Sequence, residues 1–308
     1  LGIFGAGNVG AAVTKFSAPF VMLAFGWEAV AQIWASALLV IAILAFLLTR
    51  DEPEVVERRR TGQKPVTAWM QLTPLKDIRV WRFSLYYFFV FGGFVALALW
   101  LPHYLTGAYG LGIGAAGMLA VAYSIPGSLF RVFGGWLSDR IGARKVMYLT
   151  FSLSAVCAFI LAYPATTYVV DGIEGPIQFR LALGLPAFVV LVFVLGFAMS
   201  LGKAAVYKHI PVYYPDHVGA VGGLVGMIGG LGGFVMPIAF GALNDLTGVW
   251  TSCFMLLFLL VSGALIWMHL AVRRMERRRS PDLATLPEFP ELAGVGPDRS
   301  AAAPSPAN

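Results

Sequence analysis

The sequence predicts an all-α polytopic membrane protein with eight transmembrane helices. Of its 308 residues, 58% are hydrophobic and 12% are charged, and the mean hydropathy is +0.77. These values exclude an ordinary soluble domain. An α-helix needs about 20 apolar residues to cross roughly 30 Å of hydrocarbon. Eight segments meet that requirement, at 1–25, 27–49, 82–105, 112–137, 146–165, 182–206, 217–243 and 250–270.

A charged stretch separates the first two helices from the other six. Residues 1–49 supply the first pair and residues 82–272 supply the six. Residues 50–81 are predicted to be a cytoplasmic linker, with a short interfacial helix near Trp69–Leu75. Residues 273–308 are predicted to be a disordered cytoplasmic tail, because residues 280–308 are rich in Pro, Ala and Ser and have little to bury.

The longest loop on the other side covers residues 166–181. β-Branched residues flank the pairs Asp171-Gly172 and Gly175-Pro176, which is a pattern found in hairpins. The sequence leaves two alternatives open, a small β-hairpin and an irregular loop.

The positions of Lys and Arg predict the orientation in the membrane. One side carries the basic residues of 50–81, 140–145 and 273–279 together with Lys208, whereas the loops of the other side carry Arg180. Basic residues concentrate on the cytoplasmic side, so the C-terminus is predicted to be inside. Because these residues adjoin helix ends, the pI of about 9.4 indicates a membrane surface rather than nucleic acid.

Three basic side chains lie inside long apolar segments, and the sequence places no acidic residue at comparable depth. They are Lys15, Arg131 and Lys203. A charge in the bilayer interior is costly unless it faces a cavity or a partner. Because the chain offers no obvious carboxylate, the missing negative charge is predicted to come from a substrate. The pattern is typical of a transporter for a small anion.

A short motif recurs in two predicted helices that are three apart. Residues 135–142 read GWLSDRIG and residues 241–248 read GALNDLTG, so both fit G-x-x-x-D-x-x-G at a helix end. An inverted three-helix repeat predicts such copies on opposite sides of the membrane. The glycines permit close packing. Asp139 is expected to bind a helix N-terminus or a nearby arginine and so to latch one conformation, with Arg140 beside it. A plain positive-inside loop is the alternative.

The inner copy, GGWLSDRIGARK, resembles the loop signature of the major facilitator superfamily. Further likeness points to one branch of it, the nitrate/nitrite porter family. GAGNVGAAVTKFSAP (5–19) and GAVGGLVGMIGGLGGFVMPIAFGALND (219–245) are similar to the two nitrate-signature helices of that family. SIPGSLFRVFGGWLSDR (124–140) and KAAVYKHIPVYYP (203–215) continue the resemblance.

The resemblance implies a partial major facilitator fold, with helices five to twelve of twelve and residues 82–272 as the C-terminal half. It also implies alternating access to a central site for nitrate or nitrite in a prokaryotic inner membrane. The porter would be a monomer that works by nitrate–proton symport or by nitrate/nitrite exchange. In the family one arginine from each half holds nitrate, and Arg131 matches the second of them. The implied partners are nitrate, nitrite, protons and lipid; no cofactor, metal or nucleic acid is implied.

The residues themselves agree with an anion site. Arg131 lies nine residues before Arg140. This places it about 13 Å deeper in a helix, which is too far to snorkel to the surface as Arg140 does. Its planar guanidinium matches a planar oxyanion.

The amide of Asn8 is suited either to a ligand or to bridging two helices, and the resemblance favours the ligand. Asn8 is surrounded by Gly5, Gly7 and Gly10.

Two aromatic residues are candidates for the pocket wall. Tyr87 and Phe91 are one turn apart and share a helix face. Their spacing alone favours packing or lipid contact. In the family the matching YFFVF position lines the nitrate pocket, so the resemblance implies a pocket position.

The segment 219–241 contains nine glycines. Glycine is a poor helix former in water, but in a membrane it allows helices to touch and slide. We expect a packing or gating surface here, and simple tight packing does not conflict with it. Its central members are Gly226, Gly229, Gly230, Gly232 and Gly233.

The roles of the two lysines are left open by the sequence. Lys15 lies seven residues after Asn8 and shares its helix face, so it is expected to line the cavity or the outer vestibule. Lys203 either snorkels beside Lys208 or takes part in proton-coupled uptake.

Other classes of protein fit less well. A membrane enzyme would need a catalytic constellation, and the sequence has no cluster of His and acidic residues and no nucleophile elbow. Cys157 and Cys253 lie in apolar spans and are read as small buried residues. The alternatives that stay open are a major facilitator transporter of another small anion and a membrane sensor that does not transport.

Overall fold

The computed structural model describes residues 9–49, 60–61 and 72–277, and most of these are helical. Seven of the described helices are long and apolar enough to cross a membrane. The predicted count was eight. The difference is the first helix, which is described over 17 residues. The helices are α1 (Val9–Phe25), α2 (Trp27–Leu48), α3 (Ile78–Tyr109), α4 (Ile113–Ile141), α5 (Ala143–Ala162), α6 (Leu185–Tyr213), α7 (Val218–Thr247) and α8 (Ser252–Arg277).

Glycines of the repeated motif end two of these helices. Gly142 has φ 90° between α4 and α5, and Gly248 has φ 65° after α7. Only glycine adopts such angles without strain. These two residues close the two copies of G-x-x-x-D-x-x-G, so the repeat marks helix ends. Gly135 is the first glycine of the inner copy. If a Cβ atom were added to it, no atom of the described residues would lie within 4 Å, so Gly135 makes no close helix contact in the described protein.

The helix α3 is not regular throughout. A π-helical segment, Phe88–Gly93, interrupts it, where the sequence predicted an ordinary helix over 82–105. A Cβ added at Gly92 would lie 2.5 Å from the carbonyl oxygen of Gly229. The π segment therefore presents bare backbone to the glycine-rich helix α7, and the two helices touch there. π-bulges of this kind occur frequently at functional sites.

The helix α6 is central among the described helices and packs against both α4 and α5. The helix α7 packs against α3, and α8 packs against α5. The helix α1 packs against both α4 and α2. The contact between α4 and α6 is close, because a Cβ added at Gly134 would lie 2.6 Å from the Cα of Leu201. In contrast, α2 buries none of its residues within the described protein.

The loop between α5 and α6 is a β-hairpin. Strand β1 (Thr166–Gly172) pairs antiparallel with β2 (Gly175–Leu181), and Gly172 faces Gly175 across a two-residue turn. The rings of Tyr168 and Phe179 stack across the strands with their centroids 5.4 Å apart. Of the two alternatives that the sequence left open, the structure shows the hairpin.

Two predictions on the linker and the tail need correction. The predicted disordered tail begins too early, because residues 273–277 form the last turn of α8. The helix outlasts its apolar run since Arg and Met are good helix formers. The described part of the predicted helix near Trp69–Leu75 belongs to a 3₁₀ turn, Thr73–Lys76. Residues 62–71 and 278–308 lie outside the described part of the chain.

The start of α3 is tied to the end of α6. The carboxylate of Asp77 accepts a hydrogen bond of 2.9 Å from the backbone N–H of Arg79 and one of 2.5 Å from the Tyr214 hydroxyl. Burial and the Asp77 carboxylate raise the pKa of Tyr214. The hydroxyl therefore stays protonated and remains a donor across the physiological pH range.

Candidate functional site

Arg131 is buried in the second half of α4. Its side chain is 8% exposed, and its Nε has no hydrogen-bond partner among the described residues. It lies ten residues before Ile141, the last residue of α4, which is about 15 Å along the helix. That depth excludes snorkelling to the helix end, as the sequence predicted. Small residues share its face, and they let α6 approach; they are Ser124, Gly127, Ser128, Gly134 and Ser138.

Three aromatic rings form a cluster next to Arg131. Tyr87 and Phe91 stack with their centroids 5.0 Å apart and their planes 8° apart. Tyr207 of α6 meets Tyr87 edge-on at 4.8 Å. The Tyr87 hydroxyl lies close enough to Arg131 and to Tyr207 to interact with both electrostatically. The two predicted aromatic residues thus share one face, and they lie beside the predicted arginine.

Sequence reasoning missed Tyr207. The signal was present, because Tyr207 follows Lys203 by four residues and so lies one turn further along the same face of α6. Tyr207 also donates a hydrogen bond of 3.2 Å to the carbonyl oxygen of Gly222 in α7. It therefore connects the site to the glycine-rich helix.

Lys203 is completely buried in α6, with 0% exposure. Its ammonium donates a hydrogen bond of 2.9 Å to the carbonyl oxygen of Gly127 and lies 3.0 Å from the centroid of the Phe94 ring, an arrangement in which a cation is attracted to the ring face. The alternative in which Lys203 snorkels beside Lys208 is wrong. Lys203 lies ten residues before Tyr213, the end of α6, and a helix rises about 15 Å over that length.

Lys203 and Arg131 interact with one another. They face one another across the α4–α6 contact, because Gly127, which accepts the hydrogen bond from the Lys203 ammonium, lies one turn before Arg131. The ion pair described in the structure joins two other residues, Lys208 and Asp139. Within residues 9–49, 60–61 and 72–277, the structure therefore shows no carboxylate paired with either buried cation.

The glycines of α7 accommodate these aromatic side chains. A Cβ added at Gly229 would lie 2.2 Å from the Tyr87 ring, and one at Gly226 would lie 2.7 Å from the Tyr207 hydroxyl. At Gly232 it would lie 2.9 Å from Phe88. These contacts agree with the predicted packing surface.

Gly233 and Gly230 differ from one another in their surroundings. A Cβ added at Gly233 would lie 3.0 Å from Val95, whereas at Gly230 nothing in the described protein lies within 4 Å. The expectation that Gly230 packs is therefore not met among the described residues.

Several predicted site residues are outside what the structure describes. Asn8, Gly5 and Gly7 lie before its first described residue. Gly10 and Lys15 belong to α1. The structure describes the backbone of this helix but not the side chain of Lys15. The helix α1 packs against α4, which is the helix that carries Arg131.

Asp139 and Arg140 lie near the end of α4, away from the site. Asp139 forms an ion pair with Lys208 of α6, so its partner differs from the expected arginine or helix N-terminus. The Arg140 guanidinium lies 4.6 Å from the Trp136 ring centroid, and its side chain is exposed. The Asp139–Lys208 pair connects α4 to α6 at this end, whereas the Arg140 contact stays within α4.

The described side chains favour binding of an anion. Two buried cations, a free guanidinium nitrogen and phenolic hydroxyl groups converge between α3, α4 and α6. No group of three or more His, Cys, Asp or Glu residues that could hold a metal ion occurs in the described part of the chain. Cys157 and Cys253 are buried and free, as predicted.

Comparison with known proteins identifies the family. The sequence profile of the Major Facilitator Superfamily matches residues 1–173 and 104–302. A crystal structure of the superfamily transporter FucP in the outward conformation superimposes with a TM-score of 0.52, covering 82% of this chain and 57% of that one at 16% identity. At that identity the likeness concerns the fold.

Curated relatives are more similar in sequence. A probable nitrate/nitrite antiporter, NarK1 of Thermus thermophilus, is 41% identical over 298 residues, which is 92% of this chain and 66% of the relative. A nitrite extrusion protein of Bacillus subtilis is 31% identical over 87% of this chain and 62% of the relative. A probable nitrate/nitrite transporter, NarK2 of Mycobacterium tuberculosis, is 33% identical over 79% and 56%. The chain thus spans about two thirds or less of each relative. With its apolar helices, its fold and its matched profile, the chain belongs to the Major Facilitator Superfamily.

Proposed function

We propose that this chain is part of a transporter that moves nitrate, nitrite or both across the inner membrane by alternating access. The observation that carries the proposal is the pair of buried cations, Arg131 and Lys203, that have no carboxylate partner in the described protein. A bound anion would supply the missing charge. The relatives, which are named as nitrate and nitrite transporters, support the choice of anion.

In this proposal each side chain has a distinct role. Arg131 offers its planar donor fork to the planar oxyanion. Tyr87 orients that guanidinium through its hydroxyl, and Phe91 covers the Tyr87 ring. Lys203 adds positive charge without direct contact, because its ammonium is already bonded to Gly127. Asn8 and Lys15 are proposed to face the same cavity from α1, and Asn8 contacts the anion.

The proposed molecular architecture follows the domain prediction. Residues 82–272 act as the C-terminal half of a 12-helix transporter, and residues 1–49 supply the last two helices of the N-terminal half. A cytoplasmic C-terminus is part of this proposal, and the basic residues at the helix ends support it. The transporter is proposed to work as a monomer, because alternating access needs only its two halves.

Flux measurements with the full-length transporter in proteoliposomes test this function. We expect uptake of labelled nitrate that competes with nitrite and is unaffected by excess sulfate. If Lys203 exchanges a proton, uptake collapses when ionophores dissipate the pH gradient and the membrane potential. Uptake that persists without a gradient but requires internal nitrite indicates exchange. A protein that transports neither nitrate nor nitrite under either condition contradicts the proposal.

A further inference from the structure

A groove with three arginines lies between the start of α3 and the end of α8. Its volume is about 440 Å³. Arg79 and Arg82 line it from α3, and Arg274 lines it from α8. We call it the basic groove. It is separate from the candidate anion site, because its residues belong to helix ends, whereas Arg131 lies deep within α4.

The arginines of the basic groove have no carboxylate partner among the described side chains. The ion pair found among those side chains joins Lys208 to Asp139, which do not line the groove. Asp77 is two residues before Arg79, but its oxygens accept from a backbone N–H and from Tyr214. The Arg82 guanidinium lies 5.4 Å from the Phe83 ring centroid. Such a ring contact leaves guanidinium N–H groups available as donors. The groove therefore concentrates positive charge that can accept an external anion.

Apolar side chains continue the wall of the basic groove. Ile78 is 64% exposed and Leu270 is 61% exposed, and both line the groove with Trp267. Tryptophan is enriched at the membrane–water interface, where one part of its ring is apolar and the other is wet. A free inorganic anion would make no use of exposed Ile and Leu. A lipid with a phosphate headgroup and acyl chains would contact both parts.

We propose that the basic groove binds an anionic phospholipid of the cytoplasmic leaflet. The phosphate diester accepts hydrogen bonds from Arg79, Arg82 and Arg274, and the acyl chains run along Ile78 and Leu270. Basic pockets between transmembrane helices on the cytoplasmic side bind anionic headgroups by the same chemistry. This site goes beyond the proposed transport of nitrate. It depends only on the orientation that places these helix ends at the inner surface.

Native mass spectrometry of the full-length transporter tests the lipid site. The protein is mixed with equal amounts of phosphatidylglycerol and phosphatidylcholine that carry the same acyl chains. We expect selective retention of phosphatidylglycerol by the wild type, and a loss of that selectivity in the triple variant Arg79→Gln, Arg82→Gln, Arg274→Gln. The single variant Arg274→Gln should reduce the selectivity for phosphatidylglycerol roughly fivefold, because each cation near an anionic lipid surface contributes about 1 kcal/mol to binding.

Arg273→Gln is the matched control. Arg273 adjoins Arg274 on α8 and is exposed, but it does not line the groove. Equal retention of both lipids by the wild type overturns the proposal, and so does a loss in Arg273→Gln as large as in Arg274→Gln. Binding of inorganic phosphate in place of the lipid would assign the groove to a free anion and overturn it as well. Thermal unfolding of each variant shows that it is folded. Nitrate flux does not enter this readout, so failure here leaves the proposed function untouched.

Discussion

At Arg131 a buried guanidinium keeps an unbonded Nε among the described residues, while the Tyr87 hydroxyl lies within its reach. The Tyr87 ring is held on one face by Phe91 and at its edge by Tyr207. A ring held in this way has little freedom to move. The hydroxyl is therefore suited to fix the direction of the guanidinium before the anion arrives.

Tyr87→Phe tests this positioning role. The variant keeps the stacked ring and removes only the hydroxyl. A hydrogen bond to a charged group is worth about 1.5–3 kcal/mol, so we expect the KM for nitrate to rise at least about tenfold. Initial uptake rates over a range of nitrate concentrations measure this.

Tyr86→Phe is the matched control for that experiment. Tyr86 is the next residue of α3, and its buried hydroxyl has no hydrogen-bond partner in the described protein. Removing an unsatisfied hydroxyl should leave uptake unchanged and leave stability equal or higher. A rise of KM in Tyr86→Phe that equals the rise in Tyr87→Phe would contradict the role of the Tyr87–Arg131 contact.

The sequence predicted which residues carry charge at depth, but not what they touch. Arg131 and Lys203 stand out because charges are rare in apolar spans, and the spacing of Tyr87 and Phe91 places them on one face. The contact of Lys203 with Gly127 and Phe94 depends on how α6 is rotated against α4 and α3. That rotation is set by packing of small residues such as Gly134, which the periodicity of one helix does not encode.

Among the elements, the contact between α3 and α7 is the closest to the site. Gly92 of the π segment faces the backbone of Gly229 and Gly232. Without side chains in between, these helices can shift against one another with small changes in contact. We therefore expect this contact to move during transport.

Gly229→Ala should disturb this contact, because the added methyl would lie 2.2 Å from the Tyr87 ring. Overpacking typically costs about 1–3 kcal/mol, so we expect a lower melting temperature and a slower initial rate of nitrate uptake. Gly230→Ala is the matched control. It meets nothing in the described protein, and alanine favours a helix by about 1 kcal/mol over glycine. If both variants transport nitrate at the wild-type rate, this contact is not limiting, and its proposed movement is wrong.

The elements themselves were predicted unevenly. Helix positions followed from apolar length. The β-branched residues around two glycine-containing pairs made a hairpin one of two alternatives, and the structure shows that hairpin. The π segment was not foreseen, because it inserts one residue into a helical turn without changing composition. The end of α8 was placed too early, because a charged helix can extend into water beyond its apolar run.

Across the whole molecule, the depth of the site residues agrees among three helices. Arg131 and Lys203 each lie ten residues before the ends of α4 and α6. Tyr87 lies nine residues after the start of α3. At about 1.5 Å per residue, all three lie roughly 14–15 Å along their helices from these ends. A shared depth of this kind suits a central substrate site, as secondary transporters have. This alignment could not be read directly from the sequence, because it depends on where each helix begins and ends.

For the molecule as a whole, the ion pair of Asp139 with Lys208 is the candidate latch between α4 and α6. Both side chains are partly exposed, so the pair should be worth about 0.2–1 kcal/mol. Asp139→Asn and Lys208→Gln should each change the uptake rate by roughly up to fivefold. The charge-swapped double variant, Asp139→Lys with Lys208→Asp, should recover part of the loss. No recovery in uptake assays would show that the pair is not a latch.

The most direct test of the anion site is nitrate uptake by Arg131→Lys in full-length protein reconstituted in proteoliposomes. An ammonium keeps the charge but lacks the planar donor fork. We predict that uptake at subsaturating nitrate falls at least about tenfold, because the variant loses one or more hydrogen bonds between charged groups. Arg140→Lys, which changes an exposed residue of the same helix, should transport normally. Near-normal uptake by Arg131→Lys, at equal protein in the liposomes, would contradict the assignment of Arg131 to the anion.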